Sequence, residues 1–120
     1  MKTIFWATLL FFMGAMPLHA ATIAKKTVYL SNAPYVVHEV RPGIWASENC
    51  IRDCQALKAV DRVNQRRDRK EPNLGGRNPR AWRCMNLAGG LVAILADEKG
   101  NQDSYCVFKD QSMVDCGAFK

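Results

Sequence analysis

The sequence predicts a small α+β domain stapled by disulfides, in which a helix packs on a three-stranded antiparallel meander and is preceded by a basic helix and short N-terminal strands. One observation is that residues 78–119 contain a helix start, a glycine stop and three apolar runs separated by turn residues. A second is the helical spacing of apolar residues between positions 50 and 63. The third is that five cysteines occur among 120 residues. A chain of this length has a small core, so crosslinks would help to stabilise it.

Residues 1–20 have the composition of a secretory signal peptide. Lys2 gives a basic start, residues 4–16 are almost wholly apolar, and Ala20 is the small residue that a signal peptidase requires. The apolar run stops at Pro17, short of the ~20 residues that a membrane-spanning helix needs. We therefore expect cleavage after Ala20 and a periplasmic or secreted mature protein with no transmembrane segment.

Two segments rich in β-branched and aromatic residues follow the predicted signal peptide. They occupy residues 27–30 and 35–40, with turn residues at 31–34 between them. Such segments are typical of strands, and Arg-Pro-Gly at 41–43 ends the second.

A basic helix is predicted from Ser47 or Asn49 to about Arg69. Apolar residues recur along one face of this segment, and basic residues gather in its last turns, where the helix dipole favours them. Pro72 and the glycine pair at 75–76 then make continued helix improbable. The predicted domain organisation is a signal peptide at 1–20, N-terminal strands and a basic helix at 21–71, a linker at 72–77, and a cysteine-rich helix plus meander module at 78–120.

The module at 78–120 begins with a helix-start signal. Asn78 is a good N-cap, Pro79 suits the first helical position, and Gly89-Gly90 stops the helix. Three apolar runs separated by turn residues then predict the meander, and they lie at 91–96, 104–108 and 113–119.

The cysteines predict disulfides, because the chain is expected to be exported. The disulfide candidates are Cys50, Cys54, Cys84, Cys106 and Cys116. We expect two bridges and one unpaired cysteine, and the sequence leaves the pairing open. Among the possibilities we favour one bridge from Cys84 to a strand cysteine and another from Cys50 or Cys54 to the remaining strand cysteine. A Cys50–Cys54 bridge within one regular helix is geometrically poor.

No metal site and no cofactor are predicted. The spacing lacks a second close cysteine pair to complete a zinc site, and the mature chain has a single histidine, His38. We also find no nucleophile with its base, no carboxylate pair at a cleft and no phosphate-cradling loop, so we expect a protein that is not an enzyme.

Positive charge is concentrated between Arg52 and Arg83, a segment that contains ten Lys and Arg residues but only four Asp and Glu residues. Such a segment predicts contact with an unknown protein or an anionic envelope polymer. The candidate contact residues are Arg62, Arg66, Arg67, Arg69 and Lys70. A solvated helix face is the alternative, and the interleaved acidic residues favour it. Because no aromatic residue lies between Trp45 and Trp82, we expect no specific nucleic-acid recognition.

Several features of the C-terminal third follow a known order: Asn78-Pro79, Cys84, Gly89-Gly90, Asp97 with Gly100, Cys106 and Cys116. In this order and spacing the segment resembles a small cysteine-rich bacterial domain of unknown function that carries the name haemolysin. The name implies pore formation. The sequence departs from the family pattern at 108–111, which lacks proline and glycine, and no fourth cysteine follows Cys116.

Two functions remain as hypotheses. The first is an exported binding or inhibitor-like module that acts on an envelope or extracellular macromolecule, and the second is a membrane-active, haemolysin-like protein. Membrane insertion requires a long amphipathic or apolar segment, whereas the longest apolar run after residue 20 covers only 91–96. We therefore prefer the binding module.

Overall fold

Six antiparallel strands close into a barrel in the order β1-β2-β3-β6-β5-β4. The computed structural model describes residues 22–120, and the predicted signal peptide lies outside the described residues. The strands are β1 Lys25–Leu30, β2 Ala33–Arg41, β3 Ile44–Ser47, β4 Leu91–Asp97, β5 Gln102–Val107 and β6 Met113–Asp115. The predicted fold class, a helix packed on a three-stranded meander, is therefore wrong.

The barrel consists of two three-stranded units that meet at two seams. Within the units neighbouring strands pair over several residues, as β1 and β2 do from Lys25↔His38 to Leu30↔Ala33. The seams are short: β1 meets β4 only at Val28↔Asp97 and Tyr29↔Ala96, and β3 meets β6 at the single pair Ala46↔Val114. Three strands of the predicted meander are present as β4-β5-β6, but they are half of a barrel. The third strand ends at Asp115, and a 3-10 turn at Cys116–Ala118 takes the place of the rest of the predicted run. Closure occurs because each unit has two edge strands whose free backbone groups need partners.

The inside of the barrel is a small core built from alternate residues of the strands. Its buried members are Val28, Val37, Leu95, Tyr105 and Met113, with Trp45 and Val107 partly buried against them. Trp45 also lies under the Lys26 ammonium, which is 4.4 Å from the ring centroid. This cation–π contact places a charged side chain against the interior aromatic group.

A second core lies between the outer face of the barrel and two helical segments, residues 55–64 and 84–88. Strand residues that point outward, such as Ala46, Cys106 and Val114, are fully buried there. Helix α1, Gln55–Asn64, contributes its five buried residues, which are Ala56, Leu57, Ala59, Val60 and Val63. The helices therefore cover one side of the barrel instead of packing on an open meander.

Helix α1 begins later and ends earlier than predicted. A 3-10 turn, Glu48–Ile51, precedes it, and Cys54 is extended with φ −155° and ψ 162°. Because the chain between Cys50 and Cys54 is not regular helix, the two cysteines approach to 4.8 Å between Cα atoms and form a disulfide. The expectation that one of them pairs with a strand cysteine is wrong.

The other cysteines follow the prediction. Cys84 and Cys106 form the second disulfide, with 5.6 Å between Cα atoms, and join the helical segment to β5. Cys116 is the free cysteine and is buried, and burial raises the pKa of its thiol. Two disulfides and one unpaired cysteine are thus confirmed.

The segment that carries Cys84 is helical, as expected. Asn78 caps helix α2, Pro79–Arg83, by accepting from the backbone N–H of Arg80 at 3.0 Å. The chain continues as a π-helical turn, Cys84–Ala88, and ends at Gly89, whose φ of 75° suits glycine. Gly90 has a different role: a Cβ there would lie 2.5 Å from the Sγ of Cys106.

The start of α1 is capped by the loop between β5 and β6, more than fifty residues downstream. The Asp110 carboxylate accepts from the Gln55 N–H at 2.8 Å, and the Ser112 hydroxyl accepts from the Ala56 N–H at 3.0 Å. Ser112 in turn donates to Asp110. Burial acts to raise the pKa of Asp110, but hydrogen bonds from Ser112 and Gln55 outweigh it and the pKa is lowered.

Candidate functional site

The predicted contact residues Arg62, Arg66, Arg67, Arg69 and Lys70, here called the basic cluster, lie at the C-terminal end of α1. Only Arg62 is within the helix, in its last turn. The chain then turns, with the Arg66 N–H donating to Val63 O at 3.2 Å and the Arg69 N–H donating to Arg66 O at 3.3 Å. The cluster is therefore a helix end followed by a turn, and not one continuous helical face.

Arg69 is a framework residue. Its Nη1 donates to the carbonyl oxygens of Val63 at 3.0 Å and Arg66 at 2.9 Å, and its Nη2 donates to the carbonyl oxygen of Lys120. Its Nε donates to Oε1 of Glu71 at 3.2 Å, and Nη2 lies 3.1 Å from the same oxygen. Four hydrogen bonds and the ion pair with Glu71 hold this guanidinium, so Arg69 has little capacity left to bind a partner molecule.

Glu71 joins Arg69 to a second arginine of the framework. Arg83 donates to the Glu71 carboxylate from Nε at 2.7 Å and from Nη2 at 3.0 Å, and its Nη1 donates to Phe119 O at 3.1 Å. The fork-to-carboxylate contact with Arg83 lowers the pKa of Glu71 and raises that of Arg83. Together the two arginines tie the end of the chain to the segment before α2. The sequence does not indicate this role, since no local pattern pairs Glu71 with a residue twelve positions away.

Arg62 is partly engaged and borders a cleft. One of its terminal nitrogens donates to Ala88 O at 3.0 Å, at the end of the π-helical turn. The cleft has a volume of about 100 Å³ and is lined by Arg62, Val63, Arg66, Arg69 and Leu87. We call it the Arg62–Arg66 cleft. The contribution of Leu87 is not evident from the sequence, because its position depends on how the π-helical turn packs on α1.

Arg66, Arg67 and Lys70 are exposed and, within residues 22–120, form no side-chain hydrogen bond or ion pair. Three of the four carboxylates between residues 52 and 83 have other partners: Asp61 binds Arg41 at 2.6 Å, Asp53 binds Lys58 at 3.2 Å, and Glu71 binds Arg69 and Arg83. The fourth, Asp68, is exposed and forms no ion pair within the described chain. The three free basic side chains of this surface therefore outnumber its one free carboxylate.

A larger, open cleft of about 560 Å³ lies beside β1 and the β4–β5 turn. Its charged lining residues are Lys25, Lys26, Lys99, Asp97 and Glu98. The Asp97 carboxylate accepts from the backbone N–H groups of Lys99 and Asn101 within its own turn. Since the charges of this lining nearly cancel, the basic cluster is the stronger candidate for binding an anionic partner.

Across residues 22–120, no group of three or more His, Cys, Asp or Glu side chains is placed to hold a metal ion. Over the same part of the chain, none of the helices has the length and hydropathy of a bilayer span. Comparison with protein-family models, with curated proteins and with solved structures finds no match to this chain.

Proposed function

We propose that this protein is a small exported binding or inhibitor-like module that engages an anionic envelope or extracellular macromolecule through Arg66, Arg67 and Lys70. The observation that carries the proposal is that these three side chains are exposed and form no ion pair within the described chain, beside a framework in which Arg69 and Arg83 bind Glu71. Arg69 belongs to that framework and is not assigned a direct contact. The proposal assigns no catalytic reaction to the protein.

Export is part of the proposal and rests on the predicted signal peptide at 1–20. Two disulfides fit a protein of an oxidising compartment, because such bonds are rare where thiols are kept reduced. A periplasmic or secreted location is therefore consistent with the covalent structure.

The attraction of a distant anion depends on which charges of this surface remain free. Exposed ion pairs contribute little energy, but they do cancel the field that a distant anion experiences. Lys58, Arg69 and Arg83 have carboxylate partners. Arg66, Arg67 and Lys70 have none among residues 22–120, and their three positive charges exceed the single negative charge of the nearby Asp68. A polymer with repeated negative charge would be attracted to the second group.

The test is retention of the mature, oxidised protein on isolated cell wall and on anionic vesicles. Arg66→Glu/Arg67→Glu is compared with the control Lys25→Glu/Lys109→Glu, which changes the net charge equally at exposed positions outside the basic cluster. We expect the first variant to lose retention at low salt and the control to keep most of it. Raising the salt to physiological strength should weaken wild-type retention, because exposed charges are screened over ~10 Å at 0.1 M.

Two outcomes would contradict the proposal. Equal retention of the two variants would show that only net charge matters and that the basic cluster is a solvated surface. Vesicle leakage caused by the wild type would favour the membrane-active alternative. That alternative is implied by the name haemolysin, which is given to the family that the C-terminal third resembles.

A further inference from the structure

Arg62 and Arg66 border the same cleft and have no carboxylate between them. Arg62 lies in the last turn of α1, and Arg66 lies in the turn that follows the helix. No acidic side chain of the described chain forms an ion pair with either of them, although three other carboxylates of this region are paired with basic residues. Neither guanidinium group is therefore neutralised by an ion pair within that part of the chain.

The end of α1 compensates only part of this charge. A helix C-terminus carries the equivalent of about −0.5 elementary charge, whereas Arg62 and Arg66 together carry two positive charges. The dipole accounts for a preference for one basic residue in the last turn. It leaves an excess that an anion in the cleft would neutralise.

The surroundings of the cleft favour a small anion. Val63, which is 4% exposed, and the half-buried Leu87 line it with apolar groups, which lowers the local dielectric and strengthens ionic contacts. Arg62 uses one N–H for Ala88 O and retains the others, while Arg66 retains all of its side-chain donors. With a volume of about 100 Å³, the cleft is smaller than the ~300 Å³ at which sites for drug-sized molecules begin.

We propose that the Arg62–Arg66 cleft binds one phosphate group with free terminal oxygens, as in a phosphate monoester or inorganic phosphate. Two guanidinium forks can donate to separate oxygens of a tetrahedral anion, whereas a carboxylate offers only two oxygens to both forks. This inference rests on the proposed function and names the group that the cluster recognises. Arg67 does not line the cleft and has no part in this contact.

The experiment is a titration of the ¹⁵N-labelled, disulfide-bonded mature protein at constant ionic strength. Inorganic phosphate, glycerol phosphate and acetate are the three ligands, and the backbone amide signals of Val63 and Leu87 are followed. Arg66→Ala is compared with Arg67→Ala, which removes the same charge one position away. The amide spectra also verify that both variants are folded.

We expect both phosphates to shift the two amide signals and acetate to bind more weakly. Arg66→Ala should weaken phosphate binding about 10- to 100-fold, as expected for loss of a charge-assisted, two-pronged contact, and Arg67→Ala by less than about threefold. Similar affinities of inorganic phosphate and glycerol phosphate would assign recognition to the phosphate group itself. Binding of inorganic phosphate alone would identify the free anion as the ligand.

Equal effects of the two variants, equal binding of acetate, or unchanged Val63 and Leu87 signals would overturn the proposal. These results differ from a failure of the proposed function. If Arg66→Glu/Arg67→Glu loses retention on the wall but phosphate shifts no signal of the cleft, only the proposed phosphate site is overturned. A phosphate response with full retention of that variant would overturn the polymer contact and leave a site for a small phosphate.

Discussion

Replacing Ser112 by alanine tests the long-range cap of helix α1. Ser112 is fully buried, and its hydroxyl accepts from the Ala56 N–H at 3.0 Å while donating to Asp110. Alanine would leave that buried N–H without a partner, which costs about 1–3 kcal/mol, and loss of an N-terminal cap by itself costs about 1 kcal/mol. We expect the free energy of unfolding to fall by about 2 kcal/mol.

The assay is urea and thermal unfolding of the oxidised mature protein. A loss of about 2 kcal/mol corresponds to a fall in Tm of roughly 8–16 °C for a domain of this size. Asp110→Asn removes the charge but keeps the volume of the side chain, and we expect it to cost about 1 kcal/mol. Because both residues serve the same helix end, the double variant should lose less than the sum of the two single losses.

The control is Gln111→Gly in the same loop, which is not expected to lower the free energy of unfolding. Gln111 has a φ of 65°, a left-handed conformation that costs a residue with a Cβ about 1 kcal/mol. Gln111→Gly should therefore stabilise the protein or leave it unchanged. If the free energy of unfolding of Ser112→Ala lies within about 0.5 kcal/mol of the wild-type value, the contact between this loop and α1 does not stabilise the helix. That result would contradict the prediction.

Three further perturbations are predicted by the structure. Gly90→Ala should destabilise the protein by about 1–3 kcal/mol through overlap with the Sγ of Cys106, and Gly89→Ala by only about 1 kcal/mol through its φ; equal losses in urea unfolding would refute the close approach. Glu71→Gln should cost about 1–2 kcal/mol at pH 7. Since the folded pKa of this carboxyl lies below its ordinary 4.5, its contribution is present above pH 4.5 and is lost as the pH falls through the folded pKa, so wild type and variant should converge in acid. Tyr105→Phe should preserve stability or raise it by up to about 2 kcal/mol, because this buried hydroxyl has no hydrogen-bond partner within residues 22–120; a loss above about 1 kcal/mol would point to a buried water.

Local elements were predictable wherever short-range signals agree. Asn78-Pro79 begins a helix because the amide side chain caps it and the proline suits the first turn, and Gly89 ends it in a left-handed conformation. The strands at 91–97 and 102–107 were also predictable, because each is a run of strand-forming residues beside a turn. The number of disulfides was predictable from an odd cysteine count in a chain expected to be exported.

Helix α1 was misplaced because its boundaries depend on distant groups. Its apolar spacing extends back to Cys50, and that spacing suggested a longer helix. The actual start is where Asp110 and Ser112 supply acceptors for the first N–H groups, and these residues lie more than fifty positions away. The Cys50–Cys54 bridge becomes possible for the same reason, since the chain before residue 55 is not helical.

The division of roles within the basic cluster is likewise a tertiary property. Arg66 and Arg69 are equivalent in composition and charge, but the carbonyl oxygens of Val63, Arg66 and Lys120 lie within reach of Arg69 alone. Burial beside Glu71 makes one arginine part of the framework, and exposure leaves the other free. Charge density alone could indicate a basic surface but not which residues are available to a partner.

Closure of the barrel is the feature of this protein that the sequence indicates least. The pairing of Val28 with Asp97 and of Ala46 with Val114 joins residues nearly seventy positions apart. Hydrophobic alternation indicates that a segment is a strand and which face is buried, but it contains no information on which edge meets which. Local propensity therefore determined the strands, the α2 cap and the number of crosslinks. The meeting of four strand edges, which satisfies backbone groups that would otherwise be unpaired, determined the fold.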